Sequence, residues 1–452
     1  MSSPAYASFI ERKSQLSGEF GFEASFVHPK AYDFQSHLVE WSLRQGRAAI
    51  FADCGLGKTL MQLVWAHNVV RHTNKSVLIL SPLSVSLQTV DEGKKFDLEC
   101  KRSLDGRIAS EIVTTNYERI EHFDPNDFAG VVCDESSILK NFDGARKAAI
   151  TDFMRKVEYR LLCTATAAPN DYIELGTSSE ALGYLGYMDM LLTFFKNDED
   201  SLHPAFIGSK WRFKRHAERD FWRWMCSWSR ACRKPSDLGF DDRDFILPPI
   251  AEREHVVKSR ATGNTLFAMK AITLEEQREE RKATIVDRCE LAAKLLEGDD
   301  FGVAWCQLNA EADLLVKLIP GAEQISGSDS DERKEELLDA FRKGQLKKLV
   351  TKPRIAAFGM NWQHCARMTY FPDHSFEQYY QATRRLWRFG QKRSVRIENI
   401  VSESNADVSR NLKRKAVACE EMFAAMVEQM NDALRINQYR PHSVATGVPS
   451  WL

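Results

Sequence analysis

The residues best suited to chemistry lie in the stretch FADCGLGKTLMQLVWAH, Phe51 to His67, where Gly55, Leu56, Gly57, Lys58 and Thr59 run together. Glycines let backbone N–H groups approach phosphate oxygens, a lysine reaches the outer oxygens of a polyphosphate, and a threonine hydroxyl binds Mg²⁺. The stretch matches the end of a Walker A loop, with Ala52 where the first glycine usually stands. Nucleotide contacts are therefore expected along Gly55, Leu56, Gly57, Lys58, Thr59 and Leu60. A second reactive pair, Asp134 and Glu135, follows the apolar run in GVVCDESS. An acid at the C-terminal end of a strand can join Thr59 in holding Mg²⁺, and the adjacent glutamate can polarise an attacking water. Alone, such a pair also fits a solvated turn; downstream of a phosphate loop it reads as the other half of the site.

A phosphate loop of this kind must join a strand to a helix. RAAIFA predicts a short buried strand, and TLMQLVWAHNVV carries apolar residues at helical spacing. The helix N-terminus adds partial positive charge beside the phosphate. Apolar runs alternate with helical stretches throughout: SVLILS, EIVTT, GVVCDE and YRLLCTAT in the first half, FGVAWC, KKLVTK, RMTYF and VRIENIV in the second. That alternation predicts βαβ units and parallel sheets. In DERKEELLDAFRKG, Ser330 or Asp331 can cap a helix whose Leu337, Leu338 and Phe341 face inward and which Gly344 ends.

The region from about 170 to 290 differs, being rich in aromatic and basic residues around 205 to 235. Pro248-Pro249 is its best boundary, because a residue ahead of proline avoids the helical conformation. Phe221, Trp224, Met225 and Trp228 fall at i, i+3, i+4 and i+7. This spacing favours a buried stripe over a base-stacking platform, and leaves the surrounding basic residues able to touch DNA.

At 452 residues the chain suits two or three domains. Its 28% charged and 44% apolar residues are an ordinary globular balance. No apolar run approaches the roughly 20 residues that span a bilayer, and the start, MSSPAYASFIERK, lacks a secretory pattern, so no membrane partner is expected. With a formal net charge of −1, nucleic-acid binding must come from local basic patches. The cysteines are scattered without a CxxC pair, which points to a reducing, intracellular setting and no structural metal.

Taken in order, FQ at Phe34 and Gln35, CGLGKT, SPLSVSLQT, VTTNYE, DESS, TATAAPN and QATRRLWRFGQKRSV resemble the superfamily 2 helicase-like ATPases, above all the SNF2 group of DNA translocases. ISGSDSDERKEELLDAF and TKPRIAAFGMNWQHCARMTYF are similar to SNF2-like helicases of phages and bacterial mobile elements. The resemblance runs from about residue 28 to 400. It implies an α/β architecture of two tandem RecA-like domains, 1–170 and 249–435, with a helical insertion after motif III at 171–248 and a tail at 436–452. ATP and Mg²⁺ would lie between the domains, in the cytoplasm of a bacterium or a phage-infected host. By the same resemblance Gln35 reads adenine, although a plain helix-cap role also suits it. Arg385 and Arg388 would stabilise charge on the γ-phosphate, Gln381 would sit at the domain junction, and Ser81, Thr115, Lys352 and Arg354 would grip DNA phosphates.

Several motifs depart from the family. ADCGLGKT replaces DEMGLGKT, Ser137 stands at the usual histidine, Ala167 replaces a proline in TATAAP, and Lys352-Pro353-Arg354-Ile355-Ala356-Ala357 replaces STRAGG, while Gly359 and Asn361 remain. The hydrolytic residues are intact; the departures fall where hydrolysis is coupled to movement. The leading expectation is an ATPase that moves along double-stranded DNA. A strand-separating helicase on single-stranded DNA or RNA, or an ATP-switched DNA-binding scaffold, stays open. The chain shows no added wing or zinc module to act as a wedge, which favours translocation. With few residues outside the motor core, delivery to a site would depend on a partner protein or on a DNA structure.

Overall fold

The structure, a computed structural model, describes residues 20–140, 144–167, 172–197, 211–214, 217–258, 281–356, 360–403 and 406–438. The start of the chain, Pro169-Asn170 of motif III, Ala357, Gly359 and residues 439–452 of the expected tail lie outside the described residues.

Two parallel sheets organise the chain. The first contains Arg47–Ala52 (β1), Ser76–Ser81 (β2), Cys100–Arg102 (β3), Ile112–Asn116 (β4), Phe128–Asp134 (β5) and Tyr159–Cys163 (β6). A short antiparallel ribbon, Phe195–Asn197 (β7) with Trp211–Phe213 (β8), stands apart, and Ser229–Cys232 (β9) returns to complete the first sheet in the order β3-β4-β2-β5-β6-β1-β9. The second sheet contains Ile250–Val257 (β10), Gly302–Trp305 (β11), Ala322–Ile325 (β12), Lys348–Thr351 (β13), Arg367–Tyr370 (β14) and Val395–Ser402 (β15), in the order β10-β15-β14-β11-β13-β12. Helices cover both sheets, the arrangement of tandem RecA-like domains. Every residue of β5 and β6 is buried, as expected of strands covered on both faces.

The expected helix around DERKEELLDAFRKG spans Asp331–Arg342; the Ser330 hydroxyl accepts from the Arg333 N–H, and Leu337, Leu338 and Phe341 are buried. The aromatic stripe is core. Phe221, Trp224, Met225 and Trp228 are at most 2% exposed on the helix Glu218–Trp228, and Trp222 and Cys226 are buried with them. Within 171–248 the described residues form the helices Leu175–Leu182, Tyr187–Phe194 and Glu218–Trp228 and supply β9, which pairs with β1. SRAC gives no apolar run because Arg230 is buried there through its guanidinium, 4.2 Å above the Trp41 ring and bonded to carbonyls of its own turn. The second sheet begins at Ile250, immediately after Pro248-Pro249.

The last described helix, Ala406–Gln438, starts at the end of β15 and runs back to the first sheet. At about 1.5 Å per residue it is long enough to cross both domains. Phe423, Met426, Val427 and Met430, at i, i+3, i+4 and i+7, enter the same apolar core as Phe221, Trp224 and Trp228. The second half of the chain therefore helps to close the core of the first.

Met426→Ala tests this return. It should destabilise the transition of the first domain by about 2–4 kcal/mol, the cost of a large-to-small change at a fully buried position. Urea unfolding followed by tryptophan fluorescence measures it.

Candidate nucleotide site between the two domains

The phosphate loop leaves the C-terminal end of β1 and enters the helix Lys58–Thr73. Gly55 and Gly57 adopt φ of +89° and +78°, and a Cβ at Gly57 would lie 2.3 Å from the Gln35 amide nitrogen. A Cβ at Gly55 would lie 2.7 Å from the backbone nitrogen of Phe389, which belongs to the second domain. Both glycines are therefore required, one for the loop itself and one for the close approach of the domains. Lys58 Nζ donates to the main-chain oxygens of Ala52, at 2.9 Å, and Asp53, at 3.3 Å. Lys58, Thr59 and Leu60 line a cavity of about 370 Å³ together with Gly55 and Gly57. Leu56 instead buries its side chain in the core, and its carbonyl accepts from Gln35 Nε2 at 2.8 Å.

Asp134 ends β5 and Glu135 follows in the left-handed region, φ +50°, unusual for a residue with a side chain. Gln62, one helical turn beyond Lys58, donates to Asp134 Oδ1 at 2.7 Å, and the Tyr117 hydroxyl donates to the Asp134 carbonyl at 2.7 Å. Burial first, and then the charge of Glu135, raises the Asp134 carboxyl to about 6, with Lys58 and Gln62 opposing the shift. The remaining oxygen of Glu135, Oε2, is buried and has no hydrogen-bond partner among the described residues.

The opposite wall comes from the second domain. The helix Phe376–Leu386 carries Gln381 and Arg385, and Arg388 follows in the turn. Arg385 is 1% exposed; its Nη1 donates to Met360 O at 3.0 Å, while Nη2 lies 3.8 Å from Glu135 Oε1 with no hydrogen-bond partner among the described residues. Arg388 donates to the same Met360 carbonyl at 3.1 Å, and burial, then the charge of Arg385, lowers its guanidinium to about 10. Gln381 is buried with both side-chain amide atoms unpaired among the described residues. Lys58, Glu135, Arg385 and Arg388 thus face one cavity. Another link crosses nearby, where Thr166 Oγ1 lies 3.3 Å from Ser137 Oγ and 3.5 Å from Glu377 Oε1.

At the far end of the cavity, Gln35 Oε1 accepts from the Tyr32 N–H at 3.0 Å. Tyr32, Phe245 and Phe389 form an aromatic group there, with centroids 4.9 Å apart for Tyr32–Phe245 and 4.8 Å for Phe245–Phe389. These rings come from three distant segments, and nothing in their local patterns groups them. Gln62 was readable in principle, since it lies four residues from Lys58 on the same helix face. Asp53, Tyr380 and Arg384 also meet across the domains and were not expected.

The expected grip residues divide. Ser81 and Thr115 are fully buried in this conformation, and neither hydroxyl has a hydrogen-bond partner among the described residues. Lys352 and Arg354 follow β13 at the C-terminal edge of the second sheet; Arg354 is exposed, and Lys352 Nζ donates to Asn309 Oδ1.

No protein-family model and no curated protein sequence matches the chain. Among solved structures, Saccharomyces cerevisiae Dbp5 bound to RNA and ADP BeF3 is similar over 89% of this chain and 98% of that one, at 11% identity and a TM-score of 0.55. The chain shares the fold of Dbp5. A variant of Dbp5 with one leucine changed to valine, also bound to RNA and ADP BeF3, gives 10% identity, the same coverage and a TM-score of 0.54. The Sulfolobus solfataricus SWI2/SNF2 ATPase core in complex with dsDNA matches 94% of this chain and 99% of that one, at 16% identity and a TM-score of 0.42.

Asp134→Asn should stabilise the nucleotide-free protein. A carboxyl raised from 3.8 to about 6 is destabilising when ionised, so the gain should be present above pH 6 and vanish by about pH 4. Its expected size is about 1–3 kcal/mol at pH 8, read from denaturant midpoints at the two pH values.

Proposed function

We propose that the chain is an ATP-hydrolysing motor of the superfamily 2 helicase type that moves along double-stranded DNA. One observation carries the reading: Lys58 and Glu135 from the first domain and Arg385 and Arg388 from the second line a single cavity, in which Glu135 Oε2 and Arg385 Nη2 have no hydrogen-bond partner among the described residues. A buried polar atom without a partner needs an explanation, and here both residues line the cavity. The glycine cradle, the cavity volume and the acid pair all suit a nucleoside triphosphate. The shared fold of Dbp5, whose structure holds RNA and ADP BeF3, supports the same class.

In this reading Lys58 exchanges its bonds to Ala52 and Asp53 for phosphate oxygens, and the loop N–H groups cradle the rest of the chain of phosphates. Thr59 and Asp134 would hold Mg²⁺, which supplies positive charge to offset that of the phosphates. Glu135 orients a water and accepts its proton as the water oxygen bonds to the γ-phosphorus and the bond to the β–γ bridging oxygen breaks. Arg385 and Arg388 balance the charge that develops on the transferring group. Gln35, Tyr32, Phe245 and Phe389 enclose the base. Because the arginines belong to the second domain, hydrolysis weakens what holds the domains together, and repeated closure and release moves the chain along its track. Lys352 and Arg354 would hold phosphates of that track, which carry affinity rather than sequence information.

ATP turnover measured without nucleic acid and with duplex DNA, single-stranded DNA and RNA tests the proposal. Duplex DNA should stimulate most, and triplex displacement should report movement. Greater stimulation by RNA or single strands, with unwinding of a forked duplex, would replace translocation with strand separation; binding without turnover would leave a scaffold. Lys58→Ala and Glu135→Gln should abolish turnover. Arg388→Ala should lower kcat by roughly 10²–10³-fold while ATP affinity changes by less than about fivefold, as expected for a group acting on transition-state charge.

A further inference from the structure

The helix that carries Gln381 and Arg385 has a second face. Tyr380 and Arg384, four residues apart, point at Asp53, the residue between β1 and the phosphate-loop glycines. Arg384 Nη2 donates to Asp53 Oδ2 and the Tyr380 hydroxyl donates to Asp53 Oδ1. The Cys54 N–H donates to the same Oδ1 at 2.6 Å, so the carboxylate is held by its own loop and by the opposite domain at once. Asp53 is also fixed through its main chain: its N–H donates to Cys232 O on β9 at 2.9 Å, and its carbonyl accepts from Lys58 Nζ. The guanidinium of Arg384 lies 4.4 Å above the Trp387 ring and 5.1 Å from that of Tyr380, and its side chain is 13% exposed against 9% for Asp53.

A charge pair this buried is costly to break on one side, because the remaining ion is left without a partner in a poorly solvated place. The planar guanidinium also fixes orientation in a way a point charge does not. Arg384 is adjacent in sequence to Arg385, so any rotation of the helix that released Asp53 would also withdraw Arg385 from Glu135. Two further interdomain ion pairs, Arg102–Glu335 and Arg342–Asp91, lie on another helix, Asp331–Arg342, and do not constrain this one.

We propose that Arg384, with Tyr380, is a positioning residue that latches the second domain's arginine helix to Asp53 and so holds the phosphate loop and the arginines as one unit before nucleotide binds. The latch acts through the loop that holds Lys58 and through the helix that aims Arg385. It rests on the reading of this cavity as an ATP site, but its first test does not require turnover.

Hydrogen exchange of residues 53–57 and 376–386 is measured in the nucleotide-free full-length protein for wild type, Arg384→Met, Arg384→Lys, Asp53→Asn and the double variant D53N/R384M. Arg384→Met should speed exchange in both segments at least tenfold while leaving β11 and β13 unchanged, and Arg384→Lys should restore part of the protection. In turnover assays Arg384→Met should lower kcat at least tenfold with ADP affinity changed by less than threefold, and the double variant should lose no more than the worse single one. Unchanged exchange in both segments overturns the latch. So does a parallel fall of kcat, ADP affinity and global protection, which marks general damage, or a double variant whose loss is the product of the two single losses. If the wild type shows no ATP turnover while Arg384→Met still releases both segments, the latch stands and the nucleotide reading fails.

Discussion

The arrangement depends on two buried charges placed against each other by different domains without being fully paired. Glu135 and Arg385 are almost inaccessible to water, yet approach only to 3.8 Å and leave one oxygen and one nitrogen without hydrogen bonds among the described residues. Groups in this state carry a desolvation penalty that a complete hydrogen-bonded pair would largely offset. A ligand that accepts from the arginine while leaving the carboxylate free to accept a proton relieves the penalty on both sides. An ionised triphosphate and a water meet that description.

The rest of the interface supplies the stabilisation that this gap withholds. Arg102 makes a fork to Glu335, with nitrogen–oxygen distances of 2.9 and 2.5 Å, and Arg342 reaches Asp91 at 2.7 Å. The apolar stripe of the helix Ala406–Gln438 adds burial that does not depend on charge. Thr166 Oγ1 lies between Ser137 Oγ and Glu377 Oε1 and so connects the two domains. Asp53 is held by Tyr380 and Arg384 of the helix Phe376–Leu386.

Pattern alone was enough for much of the scaffold, for identifiable reasons. A strand covered on both faces tends to carry an apolar run, and the runs at β1, β2, β5, β6, β11, β13 and β14 made those strands legible. The short strands β3, β9 and β12 did not, because edge or polar positions in them are satisfied by neighbours distant in sequence. Arg230 over Trp41 is the clearest instance. Ser81 and Thr115 show the converse: hydroxyls at or near a strand end are fully covered in the folded chain.

The amino-acid sequence by itself determined the phosphate loop, the acid pair and the arginines, because each is a local cluster whose residue types have few other uses at that spacing. Only the tertiary structure decided that they share one cavity, that Tyr32, Phe245 and Phe389 close its far end, and that Asp53 is held by Arg384. Such contacts join segments hundreds of residues apart, and nothing in a local run of residues records which distant charge or ring will complete it. That choice is made when the two sheets pack.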